Sequence, residues 1–244
     1  MPKTLRKYKY KRPFGPYIMQ TTMSQEMMDI LLGAGSLIRK SKKLKKEKDF
    51  RKKLAGNLSE EYALTIDKKT FTAKEWEIIK EELVWLCNLY TKLSIQAGLN
   101  RNLEAPEDKI SVEYPIWINY MKSGEWNPLH LHTGDVSCVG YLSVPQAIMD
   151  ENTKAEHSKN SNTPTAGKIE FQYCNTGMPF ASGGYIRAPK DKQIFFFPAR
   201  LSHMVYPFKS DVVRISVSVN FADKLEAERD LQQIGERGQI DYKK

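Results

Sequence analysis

Three of the four histidines in the chain fall in a region of short apolar runs, and their spacing suits a metal ion. His130 and His132 are two residues apart, so in a β-strand both imidazoles would point to the same face. His203 follows the apolar run 194–198, where a β-barrel can bring it against the first pair. Three imidazoles can bind iron, zinc, copper or nickel. The alternative for His203 is a half-buried ring bonded to a neighbouring carbonyl group.

Arg214, eleven residues beyond His203, is the fourth residue whose type and position indicate chemistry. Alternation along its strand puts Arg214 and Ser216 on one face with the other polar side chains, and the apolar side chains on the opposite face. A buried arginine needs an anionic partner, and its planar guanidinium suits a carboxylate. Ser216 can donate one more hydrogen bond. The partner is a ligand carboxylate in one interpretation and Asp135 or Glu170 in the other.

These residues lie in the second half of the chain, which has the rhythm of a β-sandwich or barrel. Short β-rich runs are separated by turn residues, and we predict strands at 112–121, 129–132, 136–144, 168–174, 193–197 and 212–221. The polar segment 151–167 between the third and fourth runs is typical of a surface loop. Substrate choice is expected to depend on this loop and on the glycine-rich loop 175–189.

The first half of the chain is predicted to support the sheet with helices. After a short strand, a helix begins at Ser24 and ends at the glycines in positions 33 and 35. A second helix covers 73–97 and opens with a capping box of Thr72 and Glu75. Its apolar residues recur at steps of three and four, which is typical of a packing face. We therefore expect this helix to lie on the back of a sheet.

Composition allows one sizeable core, because the chain has 244 residues of which 41% are hydrophobic. The 38 basic and 29 acidic residues give a net charge of +9, much of it within 3–12 and 39–53. In one interpretation these basic runs bind the phosphates of a nucleic acid, with Tyr8 and Tyr10 available for base stacking. In the other they form a solvated arm and a solvated helix face.

The cysteines and the hydropathy of the chain indicate the environment in which the protein functions. Cys87, Cys138 and Cys174 show no paired spacing, which favours a reduced, cytoplasmic environment. No apolar run approaches the roughly 20 residues that cross a bilayer, and no signal-type segment follows the basic start. We expect a soluble, unprocessed protein with no membrane partner, and a homodimer is compatible with the sequence.

Taken together, five motifs resemble those of the 2-oxoglutarate- and Fe(II)-dependent oxygenases related to prolyl hydroxylases. The motifs are YPIWIN (114–119), NPLHLH (127–132), SCVGYL (137–142), FPARLSH (197–203) and RISVSVN (214–220). The resemblance implies a mainly β, α+β fold with a double-stranded β-helix (jelly-roll) core. It also implies that the chain uses Fe(II), 2-oxoglutarate and O2, and that it releases succinate and CO2 while a substrate C–H bond is hydroxylated.

The resemblance implies a role for each candidate residue. The metal ligands and catalytic residues would be His130, His132 and His203, with Arg214 binding the far carboxylate of 2-oxoglutarate. Cosubstrate binding would be completed by Ser216, Asn119 and Tyr141.

One departure from the family pattern concerns the metal ligands. Most members have HxD, so if His130 is the first ligand, His132 stands at the position of the carboxylate. Alternatively His132 is the first ligand and Gly134 stands at that position, which would leave a place for water or chloride. Asp135 is a third candidate if the chain bends at Gly134. Hydroxylation and halogenation both remain open at this point.

The predicted organisation has four parts: a basic arm (1–12), a strand with helical support (13–111), the catalytic core (112–222, with its polar insert 151–167) and a charged C-terminal helix or tail (223–244). The first hypothesis for function is a hydroxylase that acts on a protein side chain or a small molecule. A nucleic-acid-modifying dioxygenase, which would use the basic N-terminal region, is the second. A non-catalytic, cupin-like metal-binding or structural domain is the third.

Overall fold

The structure of the protein is a computed structural model, and it describes residues 9–11, 15–67, 69–99, 110–173 and 183–223. The strands are β1 (Lys9–Lys11), β2 (Ile18–Thr22), β3 (Glu61–Leu64), β4 (Ile110–Met121), β5 (Asn127–His130), β6 (Val136–Ser143), β7 (Ile169–Gln172), β8 (Gly184–Arg187), β9 (Gln193–Pro198), β10 (Ser202–Val205) and β11 (Arg214–Asp223). The helices are α1 (Gln25–Lys40), α2 (Lys42–Lys48), α3 (Ala73–Leu99), α4 (Gln146–Lys154) and α5 (Glu156–Lys159), with a 3-10 turn at Arg51–Lys53.

Two antiparallel sheets build the core. The larger sheet has the order β1-β2-β9-β6-β11-β4-β3, and the smaller has the order β5-β10-β7-β8. Side chains of both sheets meet in one buried cluster, in which Tyr141 and Phe195 of the larger sheet pack with Phe171 and Val205 of the smaller. Two facing antiparallel sheets with flanking helices form the predicted double-stranded β-helix, or jelly roll, of an α+β protein.

The opposite face of the larger sheet is covered by α1 and α3. The capping box is present, since the Thr72 amide donates to Glu75 Oε2 over 2.8 Å and the Glu75 amide donates to Thr72 Oγ1 over 3.2 Å. The buried stripe of α3 joins the core that contains Ile118 and Val217 of the sheet. The expected packing of this helix on the back of a sheet is therefore confirmed.

The alternation predicted for β11 is also confirmed. Arg214 and Ser216 are each 2% exposed and line the space between the sheets, whereas Val217 and Val219 belong to the core under the helices. One strand thus supplies a polar row to the interior of the barrel and an apolar row to the helices.

The predicted end of the first helix at Gly33 and Gly35 is wrong, because α1 continues to Lys40. The reason is packing: a Cβ on residue 35 would overlap the hydroxyl of Tyr120 and the side chain of Ile118. Gly35 therefore allows the helix to lie close against β4. The Ser24 cap is as predicted, with the Met27 amide donating to Ser24 Oγ over 3.0 Å.

The polar segment 151–167 differs from the predicted surface loop. It contains the end of α4 and the whole of α5, and Glu151 within it is buried. Both oxygens of the Glu151 carboxylate accept the amide of Lys209, and the amide and hydroxyl of Ser210 donate to Oε2. A buried carboxylate fixed by three donor groups holds this segment against the loop before β11.

Four short strands that the pattern did not predict complete the sheets: β1, β3, β8 and β10. In β3 all four residues are buried, so no alternation marks it. Because β2 pairs with β9 and β3 pairs with β4, strands from the first half of the chain extend the larger sheet. The predicted C-terminal helix or tail, Tyr8 and Cys174 lie outside the described residues.

The two cysteines in the described part of the chain, Cys87 and Cys138, are both free and buried. Burial raises the pKa of each thiol. In that same part of the chain, none of the helices has the length and apolar character needed to span a membrane.

Candidate active site

The three histidines of the predicted metal site converge between the sheets. His130 on β5 stands directly opposite His203 on β10 in an antiparallel pair. His132 follows β5, and its amide donates to the carbonyl of Ala199 in the turn before β10 over 2.9 Å. One potential ligand nitrogen from each imidazole lies within 4.8 Å of the others. The strand pairing, rather than a long-range loop, brings the HxH pair and His203 together.

Backbone carbonyls orient two of the three rings. Nδ1 of His130 is 2.7 Å from the carbonyl oxygen of Pro128, and Nδ1 of His203 is 2.9 Å from that of Leu201. A carbonyl can only accept, so each Nδ1 carries the proton and each Nε2 keeps its lone pair. Nε2 of His132 and Nε2 of His203 are 3.1 Å apart. This is the arrangement of metal-ligating histidines, whose second nitrogen usually donates to a carbonyl or carboxylate.

The site also keeps the imidazoles neutral. Burial, together with the charge of the neighbouring rings, lowers the pKa of His132 to about 4 and that of His203 to about 3. Burial lowers the pKa of His130 as well. Neutral imidazole is the form that binds a metal, so all three rings are ready as ligands at neutral pH.

Asp135 is not part of this cluster. The chain does bend at Gly134, which has a φ of +81°, but the Asp135 residue is exposed. Its amide donates to the carbonyl of Phe221, which ties the bend to β11. Within the part of the chain that the structure describes, the candidate metal ligands are His130, His132 and His203.

Arg214 is buried in the same cavity without an anionic partner among the described residues. Its Nη1 donates to the carbonyl of Gly167 over 3.0 Å, while its Nε has no hydrogen-bond partner there. Glu170, one of the two structural partners considered from the sequence, instead accepts from the hydroxyl of Tyr206 and from Gln172 Nε2. A buried guanidinium with an unused donor fits a ligand carboxylate.

Tyr141 adds a second unused group beside Arg214. Its ring lies 5.4 Å from the guanidinium carbon, and its hydroxyl is buried with no partner among the described residues. Burial raises the pKa of Tyr141 to about 12, so the hydroxyl remains a donor. Burial also lowers the pKa of Arg214. Together these groups present N–H and O–H donors to one place in the cavity.

All of the residues predicted for the site line one cavity of about 290 Å³: His130, His132, His203, Arg214, Ser216, Asn119 and Tyr141. The Asn119 amide donates to Ser218 Oγ over 3.4 Å. Asn220 accepts from Ser137 Oγ over 3.0 Å and donates to Thr133 Oγ1 over 3.3 Å, next to His132. The cavity combines three imidazoles with a guanidinium that has no anionic partner among the described residues. The imidazole nitrogens fit a metal ion, and the guanidinium fits a carboxylate ligand.

Among the other residues that line the cavity are two polar ones that the sequence did not single out, Glu61 and Asn127. Glu61 lies on the unpredicted strand β3, where two adjacent glutamates before a short apolar run look like a solvated strand end. Asn127 opens the NPLHLH motif, but nothing in its type distinguished it from a turn residue. The signal available in the sequence was the position of Asn127 three residues before His130.

The fold and the cavity define a jelly-roll protein with a three-histidine group and a buried arginine that has no anionic partner among the described residues. Residues 115–220 match the family model described as "Putative 2OG-Fe(II) oxygenase". This match confirms the resemblance of the five motifs to the 2-oxoglutarate- and Fe(II)-dependent oxygenases, and it supports an oxygenase activity. The family model implies Fe(II) as the cofactor and 2-oxoglutarate and O2 as the cosubstrates, and the three histidines fit such a metal ion. None of the curated proteins matches the chain.

Solved structures with similarity to the chain include oxygenases of several kinds. One is a prolyl-4-hydroxylase from Pseudomonas putida, at 15% identity and a TM-score of 0.42 over 88% of this chain and 92% of that chain. Another is the carbocyclase SnoK from nogalamycin biosynthesis, at 11% identity and a TM-score of 0.49 over 87% of this chain and 81% of that chain. A third is a prolyl hydroxylase with a peptide fragment from Trichoplax adhaerens, at 12% identity and a TM-score of 0.39 over 92% and 86% of the two chains. The assignment of the oxygenase class rests on the sequence match and on the site.

Proposed function

We propose that the protein hydroxylates a C–H bond of a protein side chain or a small molecule, with Fe(II) held by His130, His132 and His203. The observation that carries the proposal is the convergence of three neutral imidazoles beside a buried, unpaired arginine in one cavity. A three-histidine set replaces the HxD carboxylate, in keeping with the exposure of Asp135. When bound, Fe(II) with O2 supplies the oxidation, in which 2-oxoglutarate yields succinate and CO2 and one oxygen atom enters the substrate.

Different side chains bind the metal and the cosubstrate. The carbonyls of Pro128 and Leu201 fix the ring orientation of His130 and His203, so that the Nε2 lone pairs face the metal position. Arg214 and the hydroxyl of Tyr141 bind the far carboxylate of 2-oxoglutarate, which provides the anion that the buried guanidinium lacks. Ser216 and Asn119 complete the polar lining of the cavity.

Anaerobic spectroscopy tests the assignment. Addition of Fe(II) and 2-oxoglutarate to the protein is expected to give a visible charge-transfer band, and turnover in air without substrate is expected to release succinate. Absence of both would overturn the proposal.

Arg214→Ala tests the carboxylate site separately from the metal site. We expect Fe(II) to bind as in the wild type, while the 2-oxoglutarate concentration for half-maximal band intensity rises at least about tenfold, because a hydrogen-bonded ion pair of 1.5–3 kcal/mol is lost. The exposed Arg200 offers a matched control, and Arg200→Ala is expected to titrate like the wild type. An unchanged cosubstrate affinity in Arg214→Ala would contradict the role of Arg214.

A further inference from the structure

A transverse row of side chains crosses four strands of the larger sheet. In the strand registers, Glu61 of β3 is opposite Asn119 of β4, Asn119 is opposite Ser216 of β11, and Ser216 is opposite Tyr141 of β6. Directly opposite residues in antiparallel strands point to the same face of a sheet. Glu61 therefore faces the cavity from the edge of a row whose far members, Ser216 and Tyr141, we assign to the cosubstrate.

Glu61 is buried with an unused oxygen. The residue is 1% exposed, and its Oε2 has no hydrogen-bond partner among the described residues. A buried carboxylate without a donor is costly, since its desolvation is not offset by a hydrogen bond or an ion pair. Such a group in a cavity indicates a ligand that supplies the missing donor.

Asn127 lies near Glu61 but belongs to the smaller sheet. We call the part of the cavity lined by Glu61, Asn127 and Gly56 the corner. Asn127 lies on β5 opposite Val205, and its Oδ1 is also buried and without a partner among the described residues. Gly56 lies between the two groups: a Cβ there would be 2.5 Å from Oε1 of Glu61 and 2.8 Å from Oδ1 of Asn127. Acceptor side chains from both sheets thus meet against one glycine.

The wall behind this corner is fixed at both ends. The amide of Phe50 donates to the carbonyl of Glu61 over 3.0 Å, and the amide of Asn57 donates to the carbonyl of Trp126 over 2.9 Å. The segment 50–57 therefore bridges from β3 of the larger sheet to the residue preceding β5 of the smaller. The corner belongs to the same cavity as the histidines.

The unpaired atoms in this corner are all acceptors. The third is Oδ1 of Asn119, the neighbour of Glu61 in the transverse row. Anionic ligands belong on the opposite side, beside Arg214. A group with several N–H donors and a positive charge would satisfy the acceptors and the carboxylate at once.

The nearby cationic side chains do not occupy the position beside the Glu61 carboxylate. Arg51, whose charge acts on Glu61, is held by Asp49 at 2.6 Å. Lys53 also lines the cavity, but it is exposed and the described contacts include no ion pair between it and Glu61. Burial, with the charge of Glu125 added, raises the pKa of Glu61 to about 7.

We propose that Glu61, Asn127 and Asn119 form a recognition subsite for a protonated nitrogen, an ammonium or guanidinium group, on the substrate. The inference rests on the proposed function, because it places this group in the cavity of the oxygenase. The substrate class is accordingly a cationic amine or guanidine compound, free or as the side chain of a peptide. The carbon that is hydroxylated is carried by the same molecule.

Agmatine, which carries both a guanidinium and an ammonium group, and neutral butylurea are suitable probes for calorimetric titration at pH 8. We expect the wild-type protein to bind agmatine at least about tenfold more tightly than butylurea. In Glu61→Gln the affinity for agmatine is expected to fall at least about tenfold, as for the loss of a charged hydrogen bond. The exposed Glu156 provides the matched control, and Glu156→Gln is expected to bind as the wild type.

A second variant keeps the carboxylate and fills the corner. Gly56→Ala places a methyl group against Glu61 and Asn127, and it is expected to weaken agmatine binding without changing the charge. Equal binding of agmatine and butylurea by the wild type, or undiminished agmatine binding by both variants, would overturn the subsite. The wild-type charge-transfer band with Fe(II) and 2-oxoglutarate is read separately, so its absence counts against the oxygenase proposal alone.

Discussion

Arg214 donates from Nη1 to the carbonyl oxygen of Gly167, 47 residues earlier in the chain. This bond ties the start of β11 to the turn that ends the polar segment 151–167. Gly167 has a φ of +65°, and its amide donates to the carbonyl of Pro207 over 3.2 Å. The orientation of the guanidinium in the cavity thus depends on a residue that makes no contact with the histidines.

Gly167→Ala is expected to weaken 2-oxoglutarate binding and to lower stability by about 2–4 kcal/mol. The left-handed conformation costs an L-residue roughly 1–2 kcal/mol, and the new Cβ would also overlap the side chain of Ile148. Gly124 is the matched control, since it has a φ of +76° with open space around it. Gly124→Ala should cost only the conformational term and leave cosubstrate titrations unchanged. Equal effects of the two variants, measured by urea unfolding and by the anaerobic band, would contradict the coupling.

Metal binding should stabilise the fold through the three histidines. A ligand that binds only the native state adds RT ln(1 + [L]/Kd), about 2.7 kcal/mol at one hundred times Kd. For a chain of this length we expect Fe(II) under anaerobic conditions to raise Tm by about 5–10 °C, and a chelator to reverse the rise. His203→Ala should lose the effect. His157→Ala, which changes the fourth histidine and lies outside the cluster, should retain it; a similar loss in both variants would argue against the site.

Glu61 should make stability depend on pH between about 4.5 and 7. In the unfolded chain its carboxyl ionises near 4.5, whereas burial keeps it protonated to about pH 7 in the folded chain. The folded state binds the proton more tightly, so stability falls as pH rises through this range, and the full penalty is present above pH 7. Arg51 opposes this shift, while Glu125 and Asp49 add to it.

The corresponding variant is Glu61→Gln, which removes the ionisation. Relative to the wild type, we expect it to be more stable by roughly 1–3 kcal/mol at pH 8 and to show little difference at pH 4.5, as measured by urea unfolding. Glu156→Gln, at an exposed position, should show no such pH dependence. A stability difference that is the same at both pH values would contradict the burial of an unpaired carboxylate.

The contribution of Glu151 to stability is expected to depend on pH in the opposite sense to that of Glu61. Burial opposes its ionisation, but the hydrogen bonds from Ser210 and the amide of Lys209 outweigh burial and lower its pKa. Its contribution is therefore present above the unfolded value near 4.5 and is lost as pH falls below it. Glu151→Ala should cost about 2–4 kcal/mol at pH 7, because the amides of Lys209 and Ser210 and the hydroxyl of Ser210 lose a charged acceptor. Asp150→Ala, which removes an exposed ion pair with Lys154, should cost less than about 1 kcal/mol by the same measurement.

The sequence predicted the parts of the fold that carry a strong local pattern. The alternation of β11, the capping box of Thr72 and Glu75, and the buried stripe of α3 are all determined by residues close together in the chain. The prediction that α1 ends at its glycines was wrong because Gly35 allows the helix to pack closely against Tyr120, which lies on a strand far along the chain. No local pattern records such a contact.

The candidate site was predictable to a similar extent. The histidines and Arg214 stand in motifs whose residue types are chemically distinctive. Glu61 was missed because its importance comes from the register of β3 on β4, and a four-residue strand with every side chain buried shows no period. The position of Asp135 outside the cluster likewise depends on the backbone at Gly134, where a left-handed φ turns the chain.

The order of the larger sheet has a consequence for the synthesis of the protein. β11 pairs with both β4 and β6, yet it follows them in the chain by about seventy residues or more. A nascent chain that has emerged only as far as β10 therefore holds the three histidines but lacks the strand that joins the two halves of the sheet. Contacts so distant in sequence form slowly, and Arg214 therefore joins the cavity after the three histidines have been synthesised.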